Sequence, residues 1–281
     1  MTELGKKKIK QKSFLSMLLF LFIAQSYVAI GQFTPAEIAQ RKELEEFLKT
    51  AEIIKSEDIG EGVTKPLKLT LKKGDVERYG VWKNPSGIQK GQLEGWQYEI
   101  AAYEMDKLLG LNMVPPTVER KLHGLRGSLQ LWIESQFSDL EMREKGMSIP
   151  DSELLQWSKM KYLARAFDCL IANDDRTQQN MRYTQDWRTI LIDHSRSFRS
   201  SKKFTKKLVF GGKGIKGVKL IRYLPKAFVE KIKALNIDNI KNAVGPYLKD
   251  REIEAILKRK ELLLNEIEEM IKEKGENKVL Y

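Results

Sequence analysis

The stretch NDDRTQQN, residues 173–180, is followed thirteen positions after its last residue by Asp193 in LIDHSRSF, residues 191–198. Between the two acidic turns runs a short apolar stretch, Thr189 to Ile192, which reads as a strand. A loop that only had to reverse the chain would need less than carboxylates at Asp175 and Asp193 and an asparagine at Asn180. Taken alone, an Asp-Asp pair after a helix is a capping turn, so its meaning rests on what flanks it.

Working outward, Glu153 to Ala172 carries Leu155, Tyr162, Ala166, Phe167 and Leu170 at helical spacing, and Pro225 to about Lys274 predicts two or three further helices. Between them, Arg199 to Arg222 holds seven lysines and several glycines and reads as a solvated loop or a docking surface for an acidic acceptor. Toward the N-terminus, SLQLWIE follows a turn at Gly124 to Gly127, and Pro116 to Leu122 is extended. Trp96 to Gly110 is a helix ending on glycine, with Ile100, Tyr103 and Leu108 on one face. LKLTL and RYGVW form a hairpin across Lys72-Lys73-Gly74-Asp75. Thr34-Pro35-Ala36-Glu37 starts a helix that runs to about Thr50. Strands first and helices after predict an α+β fold of two lobes with a cleft between them. The expected division is a helix at 32–50, a strand-rich lobe at 51–135 and a mostly helical lobe at 136–281.

The 281 residues, 42% hydrophobic and 31% charged, suffice for a real core. The net charge of +12 favours anionic partners, although the five lysines and one glutamate of residues 1–31 leave only +8 elsewhere. Nucleic acid is not among the expected partners, because the basic residues are not interleaved with a recognisable module. Residues 1–31 pair a lysine-rich KKKIKQK with the apolar FLSMLLFLFIAQSYVAI and small residues at Ala29 and Gly31. That pattern is an export signal or an uncleaved membrane anchor, and it predicts a periplasmic or secreted protein. Cys169, the single cysteine, sits on the apolar face of its helix, and His123 and His194 are too few for a zinc site.

Phosphoryl transfer explains the acidic pair. It needs a divalent cation on the nucleotide phosphates and a carboxylate to orient or deprotonate the acceptor hydroxyl. Magnesium takes hard oxygen ligands, few of them from protein. Asp175 suits the acceptor, and Asn180 and Asp193 suit the metal. Lys83, ending RYGVWK, could then reach the phosphates if Glu99 on the next helix held it, although the two could equally be a surface ion pair. Gly60 and Gly62, ahead of LKLTL, could admit backbone amides to phosphate or simply turn the chain. The end of SLQLWIE, where Glu134 leads into Ser135 and Phe137, could offer backbone groups to a purine edge.

GVTKPLKLTL, YGVWKNPSG, YEIAAYEMDKLLGLNMVPPTV, GSLQLWIE, NDDRTQQN and LIDHSRSF, in that order, resemble the atypical kinases. These are the secretory-pathway Golgi casein kinase and glycosaminoglycan xylosylkinase family and the type II phosphatidylinositol 4-kinases, with HipA-type kinases more distant. The resemblance spans about Ile53 to Phe198. It implies a protein-kinase-like fold, ATP as donor and Mg2+ or Mn2+ as metal. By position, Lys83 would be the phosphate-binding lysine, Glu99 its partner, Asp175 the catalytic aspartate, and Asn180 and Asp193 the metal ligands. The chain departs from the secreted animal members in having one cysteine, and from some of them in having Asn180 where they have glutamate. His194 and Ser195 stand where related sequences often have asparagine and glycine. The expectation is therefore an exported kinase acting on a hydroxyl of a protein, glycan or inositol-type lipid. A catalytically silent binding protein of the same fold and a nucleotidyl transferase are its alternatives.

Overall fold

The computed structural model describes residues 33–60, 65–89, 91–133, 136–211, 214–217 and 222–281. The export or anchor segment, Gly62 and Glu134 lie outside these residues. Among the described residues no helix is long and apolar enough to cross a membrane.

Thr34 opens the first helix as its sequence predicts: its hydroxyl accepts the Glu37 N–H at 3.3 Å and the Glu37 carboxylate accepts the Thr34 N–H at 2.6 Å. The single helix expected to Thr50 is instead two, α1 (Pro35–Ala39) and α2 (Arg41–Thr50), meeting at Gln40. A five-stranded antiparallel sheet follows in the order β1-β2-β3-β7-β6. Its strands are β1 (Glu52–Asp58), β2 (Leu67–Lys73), β3 (Val76–Lys83), β6 (Thr117–Leu122) and β7 (Leu125–Leu131). Phe47 and Leu48 of α2 pack on Leu69, Leu71, Trp82, Val118 and Leu129 from one face of this sheet. Side chains alternate along a strand, so Trp82 enters that core while its neighbour Lys83 points to the opposite face. Arg120 closes the C-terminal end of α2 by donating to the carbonyls of Leu48 (3.2 Å), Lys49 and Ala51 (2.7 Å).

The β6–β7 turn is tighter than its glycines suggest. His123 and Gly124, at φ 49° and 80°, make it alone, and Arg126 and Gly127 already belong to β7. Gly127 has a packing reason: a Cβ there would lie 2.6 Å from both the Lys83 carbonyl oxygen and the Trp82 ring.

Between β3 and β6 come a small hairpin, β4 (Ser86–Gln89) with β5 (Gln92–Gly95), and α3 (Trp96–Leu109), which Gly110 ends at φ 69°. The sequence suggested one apolar face for α3, but Tyr98, Ile100, Ala101, Ala102, Tyr103 and Met105 are all buried. The helix is enclosed because it lies against β6 and β7 on one side and the helical core on the other.

The second half is not purely helical. A three-stranded sheet of β10 (Thr189–Leu191), β9 (Met181–Thr184) and β8 (Gln136–Ser138) sits beside α4 (Asp139–Glu144) and α5 (Leu154–Ile171). Beyond it come α6 (Lys202–Lys206), α7 (Lys226–Lys233), α8 (Ile237–Val244), α9 (Asp250–Lys274) and α10 (Glu276–Val279). The basic segment expected as a loop is partly core: Phe204, Leu208, Val209 and Phe210 are buried while Lys202, Lys203, Lys206 and Lys207 stay exposed. Cys169 is buried, its thiol pushed up to about 12 by burial, and it accepts the Phe210 N–H at 3.2 Å.

Asp106, in the last turn of α3, is fully buried. Its Oδ1 accepts the N–H groups of Met113 (2.8 Å) and Val114 (3.2 Å), while Oδ2 has no partner among the described residues. Burial pushes this carboxyl up to about 7 against the pull of those donors. Between its ordinary value near 4 and about 7, the folded chain holds a proton that the unfolded chain has lost, so stability falls as pH rises through that window. Asp106→Asn keeps the accepting oxygen and removes the charge. Urea unfolding at pH 5 and pH 8 should show the wild type weakening relative to this variant by on the order of 1–3 kcal/mol. Parallel curves would show that Asp106 does not titrate in this range.

Candidate functional site

Folding brings Lys83, Glu99 and Asp193 together from three separate elements. The Lys83 ammonium lies 2.9 Å from Glu99 Oε1 and 2.8 Å from Asp193 Oδ1. Lys83 and Glu99 are largely buried, at 14% and 3% side-chain exposure, and Asp193 is half-open at 35%. Burial pulls the ammonium down, but the two carboxylates more than reverse this and hold it above the usual lysine range. Burial pushes Glu99 up, and Lys83 with His194 outweighs that and holds it well below the usual carboxylate range. Both charges therefore persist across the physiological pH range. This is a buried pair, not the surface pair that the sequence left open.

The backbone N–H of His194 donates to the second Glu99 oxygen at 2.9 Å. The imidazole is fully buried, and its Nε2 lies 2.9 Å from Arg176 Nη2. A guanidinium can only donate, so Nε2 accepts and the ring is neutral with its proton on Nδ1. Burial also lowers the His194 pKa, which favours the same neutral form. His194 thus links Glu99 to Arg176.

Arg176 positions the acidic loop. It forks onto the buried Asp168 of α5 at 3.0 and 2.9 Å, and Nη1 donates to the carbonyls of Asn180 (2.8 Å) and Ile192 (2.7 Å). Asn173, also bonded to Asp168 at 3.1 Å, accepts the Asp175 N–H at 3.1 Å. Asn180 donates its side-chain N–H to the Asp175 carbonyl at 3.0 Å. The Asp175 carboxylate is 34% exposed and pairs with Arg196 at 3.0 Å. Burial raises its pKa and neighbouring Asp193 and Asp174 add to the rise, with Arg196 opposing. Asp193 adopts φ 60°, a left-handed conformation that aspartate tolerates better than most side chains.

Gly60 turns the chain between β1 and β2 at φ 72°, and its amide is engaged by Asp58 Oδ1 at 2.8 Å. Phe137 packs against the rings of Tyr183 and Trp187 at 5.9 and 5.2 Å. The sequence reading passed over Arg176, Asp168, Arg196 and Glu94. Arg176 and Arg196 stood inside the two quoted motifs. Asp168 stood in the apolar run AFDCLI, where a carboxylate requires a buried partner.

No family model matches the chain, and no curated protein sequence matches it. Solved structures do. The hydra Fam20 structure with sugar matches with a TM-score of 0.65 at 14% identity, over 90% of this chain and 95% of that one. The Golgi casein kinase with Mn/ADP bound matches with a TM-score of 0.65 at 14% identity, over 90% and 80%. The Helicobacter pylori proinflammatory kinase CtkA matches with a TM-score of 0.50 at 12% identity, over 81% and 96%. At these identities the likeness is one of fold, and the chain has the α+β, atypical kinase-like fold that its motifs predict.

Because Glu99 is almost fully buried, removing its partner should be costly. Lys83→Met is expected to lower stability by about 3–5 kcal/mol. Lys83→Met combined with Glu99→Gln should lose less than the sum of the two single changes. A urea double-mutant cycle measures this, and additive losses would mean that the pair does not couple.

Proposed function

We propose that the protein is an ATP-dependent kinase that transfers the γ-phosphoryl group to a hydroxyl. The observation that carries this reading is the Lys83 ammonium held between Glu99 and Asp193, with the Asp175 loop joined to the same network through Arg176 and His194. The kinase-like fold and a structural neighbour bound to Mn and ADP support it. In this reading residues 51–135 form the nucleotide lobe and 136–281 the lobe that carries Asp175. The turn at Gly60 borders the nucleotide in this reading.

The donor set suits Mn2+ or Mg2+. Among the described residues Asp193 is engaged through Oδ1, and Asn180 has committed its amide nitrogen, leaving a carboxylate and an amide oxygen as hard ligands. Among the described residues no group of three His, Cys, Asp or Glu side chains is placed to hold a metal; Asp193 and Asn180 would hold it together with oxygens of phosphate and water. When bound, the metal neutralises phosphate charge. Lys83 binds the phosphates. Asp175, its pKa raised by burial, accepts the proton of the acceptor hydroxyl while that oxygen bonds to the γ-phosphorus and ADP leaves. The N-terminal sequence supports export, and the acceptor is a protein, glycan or inositol-type lipid.

Thermal-shift titration with ATP and Mn2+ or Mg2+ should show metal-dependent stabilisation that Asp193→Ala abolishes. Asp175→Asn should keep that stabilisation and lower transfer of labelled phosphate to protein, glycan or lipid fractions by about 10²–10⁴-fold. Undiminished transfer in Asp175→Asn refutes the assignment.

A further inference from the structure

Arg196 takes no part in the mechanism above, although it touches Asp175. It bridges two carboxylates from different parts of the fold. Nε and Nη2 engage Glu94 Oε1 at 2.8 and 2.7 Å, and Nη1 donates to Asp175 Oδ2 at 3.0 Å. Glu94 lies in β5 with its side chain only 1% exposed. Among the described residues its other oxygen meets just the Ser195 hydroxyl, at 3.4 Å. A carboxylate buried this deeply loses its hydration, and Arg196 is the cation that compensates.

The same strand is tied to the segment after Asp193 at two more points. The Gly95 N–H donates to the Ser195 carbonyl at 2.9 Å, and Arg199 donates to Gln92 Oε1 at 3.1 Å. The β4–β5 hairpin, inserted between Lys83 and Glu99 in sequence, is therefore docked onto the segment beside Asp175. Only Oδ2 of Asp175 is engaged, and Oδ1 has no partner among the described residues. A planar guanidinium gripped by Glu94 along its Nε–Nη2 edge aims its Nη1–H at Asp175 Oδ2 in a fixed direction, which the freely rotating ammonium of a lysine does not.

We propose that Arg196 is a positioning residue for phosphoryl transfer: anchored by Glu94, it fixes Asp175 through Oδ2 and leaves Oδ1 to the acceptor hydroxyl. This inference rests on the kinase reading above. In the transfer step the hydroxyl proton passes to Asp175 Oδ1, the acceptor oxygen bonds to the γ-phosphorus, and the bond from that phosphorus to the departing ADP oxygen breaks. Arg196 neither gives nor takes a proton.

The test uses the full chain, ATP with Mn2+, and ADP release with water as acceptor, alongside thermal shift for Mn-ATP binding. Arg196→Ala should lower kcat about tenfold to a hundredfold. The KM for ATP and the Mn-ATP stabilisation should stay within about twofold, and millimolar guanidinium chloride should restore part of the rate. Arg196→Lys and Glu94→Gln retain a cation or relieve the buried charge, so they carry the test if Arg196→Ala does not fold, and both should lower kcat with KM unchanged. An unchanged kcat overturns the positioning role and leaves the kinase reading standing. So does a fall in kcat matched by loss of Mn-ATP stabilisation, or the absence of guanidinium rescue. A wild-type chain lacking either Mn-ATP stabilisation or ADP release overturns the kinase reading itself.

Discussion

The guanidinium of Arg176 is the constraint on which the rest of the site depends. Its fork onto Asp168 ties it to α5, and its remaining donors reach the carbonyls of Asn180 and Ile192 and the imidazole of His194. Those contacts set the acidic loop against the end of β10. The chain leaves β10 in the direction that puts Asp193 beneath Lys83 and the His194 amide against Glu99. Each member is buried or half-buried, so the low local polarity strengthens every bond and makes every omission expensive. Without Arg176 the carboxylate of Asp168, which is fully buried, would have no compensating cation among the described residues.

Much of this architecture was legible in the residue order. The Thr34 capping box, the turn at Gly74, the glycine stop at Gly110 and the helical period before Ala172 rest on local chemistry, and local chemistry is what a single sequence displays. Lys83, Glu99 and Asp193 read as a set because the expectation of phosphoryl transfer calls for those groups in that order, and the fold does bring the three side chains together. The illegible part is tertiary. Nothing near Glu94 signals that its partner is Arg196, a hundred and two positions later. The burial of α3 on nearly every side depends on elements that arrive afterwards, so its own pattern shows only a weak face. The segment from Arg199 was misread because its lysines outnumber the apolar residues that seat it, and composition averages over both.

His194 shows how one position can look chemical and act structurally. Histidine beside an acidic site suggests proton transfer, yet this ring accepts from an arginine that never yields its proton, and burial favours the uncharged form. Its contribution is to fill the space between Glu99 and Arg176 with a polar ring that also meets Phe167 in a T-shaped contact, 6.2 Å between centroids.

Helix α3 also belongs to the packing of the helical half, where the Tyr98 hydroxyl donates to the buried Glu252 of α9 at 2.8 Å. An outward swing of α3 would strip that hydroxyl and the Asp106 carboxyl of their partners and open the interior around Ala101, Ala102 and Met105. The place of Glu99 is therefore decided while the chain folds. The direction of the Lys83 ammonium is settled in the same step, because the helix that carries its partner has nowhere inexpensive to go.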